Sequence, residues 1–235
     1  MTVSTHEDTI VPSPDDSHIH ADIGKRIVIK SDDYSWKPSA IPGIQQMVLD
    51  RIGGVMAHST TIMRYTTGSE CAAWAENGSV EVFVLNGTFT DELGKYSTGA
   101  YVRNPKGTLS AQEAEAKECT LFVKSHPFAK NHTQRTVIDT RKSNWRPGVV
   151  EALQVLPLHE CEGEHTALVR WAPHTQFHLH SHRGGEEILV LEGVFYDEYD
   201  RYPTGTWIRS PHLSTHTPFT KEEGALIYVK VGHLA

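Results

Sequence analysis

Residues 84–105 read VLNGTFTDELGKYSTGAYVRNP, and residues 190–211 read VLEGVFYDEYDRYPTGTWIRSP. The two stretches align without a gap at an offset of 106, and eleven of their 22 positions are identical. The identities include Gly87/Gly193, Asp91/Asp197, Gly99/Gly205, Arg103/Arg209 and Pro105/Pro211. The match continues outward on both sides. Arg64 falls on Arg170, Phe122-Val123-Lys124 on Tyr228-Val229-Lys230, and, after a small shift, Trp36-Lys37-Pro38 on Trp145-Arg146-Pro147. Self-similarity over such a period means two copies of one structural unit. The sequence therefore divides into an acidic, disordered tail (1–24), a first unit (25–132) and a second unit (133–235).

Within each unit the local pattern is that of strands. Runs rich in β-branched and aromatic residues occur at Arg26–Lys30, Thr60–Tyr65, Val80–Phe89, Thr120–Lys124, Thr166–Trp171, Glu187–Tyr196 and Ala225–Val231. Clusters of Gly, Pro, Asn and Asp separate them. Helical character is expected only at Ile44–Arg51 and at Ala111–Lys117, and neither is a long amphipathic helix. Many short strands with regular turn signals predict an all-β chain, a closed or double-sheet antiparallel fold built twice.

Composition narrows the function. The 235 residues carry 22 Lys plus Arg against 29 Asp plus Glu, a formal net charge of -7. An acidic chain without a basic stripe argues against nucleic acid and against an anionic membrane surface. No apolar run reaches the ~20 residues of a bilayer span, and the polar N-terminus has no signal-like core. Three scattered cysteines (Cys71, Cys119, Cys161) without a CxxC pair suit a reducing, cytoplasmic setting.

Histidine is the unusual residue. The chain has 15, and eight of them (His159, His165, His174, His178, His180, His182, His212, His216) fall within 58 positions. On a strand, residues two apart share a face, so His180 and His182 can converge. Gly184-Gly185 permits a tight turn, after which Glu186 can return a carboxylate beside the imidazoles. The segment Gly205–His216 ends in a further histidine. Three imidazoles and one carboxylate suit Fe(II), Zn(II), Mn(II), Ni(II) or Cu(II).

These residues resemble the two cupin motifs. His180, His182, Glu186 and Gly193 follow G-x5-H-x-H-x3/4-E-x6-G, although position 174, where the opening glycine would stand, is His. Gly205, Pro211 and His216 follow G-x5-P-x-G-x2-H, with Leu213 in place of the second glycine. The run from His180 to Phe195, with Trp-x-Pro upstream, is similar to the ChrR-type branch. That resemblance implies two tandem cupin (jelly-roll β-barrel) domains. It also implies one divalent transition metal per chain, Fe(II) or Zn(II), held by His180, His182, Glu186 and His216.

In the first unit the corresponding residues are Trp74, Glu76, Val80 and Ser110, so that half is expected to bind no metal and to supply a sheet-to-sheet interface. The resemblance leaves two functions open. One is a metal-dependent dioxygenase acting on a small carbonyl-containing substrate, with the general base unassigned. The other is a non-catalytic, zinc-binding regulatory or sensory cupin. ChrR-type anti-sigma factors carry a helical zinc-binding domain ahead of the cupin. Residues 1–24 are too short for one, so direct sigma-factor binding is not expected, and a homodimer stays open.

Other candidates have plainer expected roles. His178 is expected near the site but not as a ligand, Glu187 as a structural residue, and His159–His165 as a solvated hairpin tip. His6, His18 and His20 are assigned to the tail. Arg170, Tyr196, Trp207 and Arg209 could line a pocket. Three of them recur in the first unit as Arg64, Tyr101 and Arg103, which favours packing or an ion pair.

Overall fold

A computed structural model describes residues 18–39, 41–53, 58–66, 69, 79–91, 93–106, 108, 118–125 and 134–234. Among these residues the chain is β throughout, apart from one 3-10 turn at Ser31–Asp33. No helix in them is long and apolar enough to cross a membrane.

Two eight-stranded antiparallel sheets carry the fold. The first runs His18–Ile19, Ile44–Ile52, His58–Tyr65, Cys119–Ser125, Val80–Asn86, Ala100–Asn104, Thr136–Asp139, with Lys37–Pro38 beside Ile44–Ile52. The second runs Arg146–Pro147, Leu153–Cys161, Glu164–Trp171, Ala225–Val231, Glu186–Tyr196, Trp207–Ser210, Ile27–Ile29, with Arg201–Pro203 beside Glu186–Tyr196. The two orders are the same repeat read twice, with one exchange. Ile27–Ile29, which opens the first unit, pairs with Trp207–Arg209 of the second. Thr136–Asp139, which opens the second, pairs with Ala100–Arg103 of the first.

Both faces of the central strands are buried, which explains their nearly continuous apolar text. In Cys119–Ser125, Leu121 and Val123 point into the first barrel, joining Val80, Val82, Val84 and Val102. Ile188, Val190, Ile208 and Ile227 fill the second barrel in the same way. The alternate residues, Phe83, Tyr101, Phe122, Leu189, Trp207 and Tyr228, meet in a third core that joins the two sheets. The first unit thus supplies the sheet-to-sheet interface expected of it.

That third core holds buried charge arranged with pseudo-twofold symmetry. Lys124 of the first unit pairs with Glu187 of the second, and Lys230 of the second reaches Glu81 of the first at 2.9 Å. Trp207 Nε1 donates to Glu187 at 2.8 Å, His233 lies 3.1 Å from the same carboxylate, and Tyr228 donates to Glu81 at 3.3 Å. Burial alone would raise the Glu187 carboxyl, but Lys124 and His233 hold it well below the usual range. Such i-to-j and j-to-i contacts are the signature of an isologous interface, here closed within one chain. The lysine and the glutamate that the repeats share are therefore interface residues.

Two expectations need correction. Ile44–Ile52 is a strand, not a helix. Ile44 faces the first barrel while Met47 and Leu49 face the inter-sheet core, and the register shifts between Val48 and Asp50. A strand buried on both faces with a bulge loses its period of two and imitates a helical spacing. Second, the stretch from His18 is built into the fold. His18 and Ile19 pair with Ile52 and Arg51, and His20 Nδ1 meets the Leu49 carbonyl at 2.6 Å. Ala111–Lys117, Cys71, His6, Trp74, Glu76 and Ser110 lie outside the described residues. Cys119 and Cys161 are free thiols.

Candidate metal centre

The two histidine-bearing segments meet as a small antiparallel ladder, His180–Ser181 against Thr215–His216, with His180 directly opposite His216. Gly184 and Gly185 then turn the chain with φ of 78° and 73°. A Cβ on Gly184 would lie 2.6 Å from the Gly232 backbone, so only glycine lets the chain pass there into Glu186–Tyr196. The first residue of that strand, Glu186, faces back toward the ladder.

The three imidazoles surround one point. Ring centroids are 4.6 Å apart for His180 and His182, 4.7 Å for His180 and His216, and 4.9 Å for His182 and His216. One nitrogen from each ring falls within 4.8 Å of the others. His182 Nε2 and His216 Nε2 are 3.0 Å apart, and Glu186 Oε2 stands 3.4 Å and 3.6 Å from them. With metal–ligand bonds of about 2.1 Å, neighbouring donors in a tetrahedral or octahedral shell lie roughly 3.0–3.4 Å apart. Glu186 Oε2 is buried and has no hydrogen-bond partner. An orphaned carboxylate oxygen aimed at two facing imidazole nitrogens is what a cation would satisfy. The residues present fit a divalent metal.

Electrostatics agree with that fit. Burial pushes the Glu186 carboxyl up to about 7. Burial and the neighbouring His216 and His180 push His182 down to about 3. A neutral His182 makes no ion pair with Glu186; its lone pair is free to coordinate. Burial acts to lower His216, but Asp197 and Glu186 raise it overall.

The rings are held from behind. His180 Nδ1 donates to the His178 carbonyl at 3.0 Å, which leaves Nε2 as the unprotonated donor. His178 contributes that carbonyl, while its exposed ring stacks on Phe177. His216 Nδ1 faces Asp197 Oδ2 at 3.7 Å. Asp197 is itself fixed by Tyr202 OH at 2.6 Å, by Arg26 at 2.9 Å and by the Tyr199 amide at 2.9 Å. A carboxylate behind a ligating histidine orients the ring and raises its basicity.

Sequence reasoning missed Asp197 as a functional residue, although its identity with Asp91 was visible in the repeat. It missed Arg26 altogether, because only the exchanged strand brings Arg26 beside the second barrel. The first unit holds the same scaffold, with Asp91 bonded by Tyr96 at 2.9 Å and by Arg135 at 3.0 Å. There, Val80 stands buried in the place of Glu186.

Other candidates lie elsewhere. Glu187 and Trp207 belong to the inter-sheet core, and Arg209 pairs with Asp50 at 2.9 Å. Tyr196 stacks on Phe219, and Arg170 lies over Trp145. His159–His165 is a hairpin turning at Glu162-Gly163.

Both positions where a motif glycine is replaced keep a glycine's backbone, with φ of 56° at His174 and 60° at Leu213. Over the histidine cluster opens a pocket of about 370 Å³ lined by Arg26, His182, Tyr199, Leu213, Thr215 and His216, among others.

Two β-barrels, one carrying a convergent set of three histidines and a glutamate, define a bicupin. The ChrR cupin-like domain matches residues 24–129 and again 133–235, and the chain belongs to that family. Among curated proteins no match was found. Solved structures share the fold at low identity. A protein from Nostoc punctiforme, provisionally assigned as a dioxygenase, is 15% identical with a TM-score of 0.74, covering 88% of this chain and 82% of that one. Oxalate decarboxylase from Lactobacillus farciminis, in a formate complex, is 13% identical with a TM-score of 0.60, covering 88% and 86%. The pirin YhhW from Escherichia coli, in complex with nickel(II), is 12% identical with a TM-score of 0.58, covering 88% and 98%.

Proposed function

We propose that the chain is a metal-dependent enzyme of the non-haem dioxygenase kind, acting on a small carbonyl-containing organic substrate. His180, His182, Glu186 and His216 hold its metal. The observation that carries this reading is the orphaned Glu186 oxygen facing two imidazole nitrogens at the base of an open pocket. When bound, the metal supplies Lewis acidity toward a carbonyl oxygen and, if iron, a redox-active centre. The chain's own residues do the rest. Asp197 fixes the His216 ring, and Glu186 would face the cation with the carboxylate oxygen that has no hydrogen-bond partner. Arg26, Tyr199 and Leu213 line the approach, offering one guanidinium and two apolar surfaces to an incoming ketone or enolate.

A second reading has support in the family itself. Four protein donors can close a tetrahedron around zinc, and such a site is structural or sensory rather than catalytic. Oxygen uptake distinguishes the two. Protein reconstituted with Fe(II) and offered β-diketones and hydroxyacetophenones is expected to consume oxygen in proportion to bound iron, and the His182→Ala variant is expected to consume none. Zinc that resists exchange, with no uptake on any of these substrates, would favour the sensory protein.

A further inference from the structure

Away from the metal pocket, the seam between the two sheets opens into a cleft of about 810 Å³. Its walls come in pairs related by the pseudo-twofold: Trp36 with Trp145, Arg64 with Arg170, Leu85 with Leu191. The cleft shares no lining residue with the metal pocket. On the Glu186–Tyr196 strand, Glu192 at the cleft is six residues from Glu186, roughly 20 Å at the usual strand rise.

The chemistry of the walls is unusual for this molecule. The Arg64 guanidinium carbon lies 3.9 Å from the centre of the Trp36 ring, and that of Arg170 4.4 Å from the centre of Trp145. Stacking on an indole occupies the face of the guanidinium and leaves its N–H edge available for a planar, bidentate acceptor. Among the described residues neither Arg64 nor Arg170 has a carboxylate partner, and both are exposed. A third arginine in the lining, Arg141, is paired with Asp139 at 3.5 Å, and the lining has a single acidic residue, Glu192. With Arg141 matched by Asp139, the cleft carries one net positive charge, Arg64 and Arg170 less Glu192, in a chain whose net charge is -7. Between the arginines the floor is apolar, with Phe83, Leu189 and Leu226.

Apolar floor, ordered guanidinium forks and a volume in the ordinary ligand range define a binding site with its own chemistry. We propose that this cleft binds a small organic carboxylate with an apolar body, the carboxylate held by the Arg64 and Arg170 forks and the body lying on the leucine floor. Each half of the molecule contributes one arginine, so the intact pair of units is needed, including the one without the metal motif. The site is independent of the metal-centre reading, and its test separates the two.

The test uses the full chain, with octanoate as the anionic probe and octanamide as the neutral one, read by calorimetry. Two of the five tryptophans line the cleft, so intrinsic fluorescence provides a second signal. Octanoate is expected to bind once per chain, and octanamide at least tenfold more weakly. Arg64→Met with Arg170→Met, which keeps the apolar stems on the indoles, is expected to raise the octanoate Kd at least tenfold. His182→Ala, which removes a metal ligand, is expected to leave that Kd unchanged. Should the double Met variant not fold, Arg64→Lys with Arg170→Lys retains the charge and loses the fork, and at least a threefold weakening is expected. The proposal is overturned by equal binding of the two probes or by no saturable binding at millimolar octanoate. It is equally overturned by an unchanged Kd in the arginine variants, or by binding lost in His182→Ala.

Discussion

The two halves of this molecule have kept different things. Each retains the strand framework, an Asp–Tyr pair bonded by an arginine that the exchanged strand of the other half brings in (Asp91 and Tyr96 with Arg135; Asp197 and Tyr202 with Arg26), and one lysine and one glutamate of the inter-sheet core. Among the described residues only the second presents three histidines on one point, with Glu186 beside two of them. The lysine and glutamate shared by both halves pack one half on the other, and the shared Asp197 holds His216 from behind. In a duplicated fold, identity between repeats therefore marks the common framework, and its local absence marks where the halves part in chemistry.

The largest expected effect tests the shared part. Lys124→Met takes the ammonium from buried Glu187, at a cost of about 3–5 kcal/mol in urea unfolding. Lys230→Met takes it from both Glu81 and Glu164, while Arg103 stays 3.5 Å from Glu81, so its cost should be of the same order. A loss far smaller, or confined to one lysine, would break the symmetry. Converting the pair Lys124 and Glu187 to Met and Leu together should recover most of the loss.

A smaller effect separates scaffold from chemistry. Asp197→Asn should weaken metal affinity about 10–100-fold through His216. Asp91→Asn should leave metal affinity unchanged while costing comparable stability, because the two networks are alike. Equal metal loss in both variants would show that the Asp197 effect is general destabilisation. The smallest effect concerns backbone strain. Leu213 is exposed and sits at φ 60°, where a side chain costs about 1–2 kcal/mol. The greater freedom of glycine in the unfolded chain offsets part of that. Leu213→Gly should therefore raise stability by about 0.5 kcal/mol, and a decrease would mean the leucine makes contacts that outweigh its strain.

Much of this was legible in the sequence, and the reasons differ by region. The repeat and the strand runs could be read because local β pattern and turn chemistry act over short windows. The convergence of His180, His182 and His216 could be read because their spacing along paired strands is fixed. Ile44–Ile52 misled because burial on both faces erased its alternation. The role of Arg26 was hidden because it depends on strand exchange, and the partners of Glu187, expected to be structural, because they depend on the docking of one sheet against the other, which no local window encodes. His174 and Leu213 read as departures from the motif, yet the backbone kept the glycine conformation and absorbed the strain.

The central claim is that one half of the molecule holds a single metal and the other holds none. Elemental analysis of protein purified without chelators or a His tag tests it most directly, with His180→Ala and His182→Ala measured beside the parent chain. One transition metal per chain, lost in both variants, is the predicted result. Two metals per chain, or near-normal content in both variants, would contradict it.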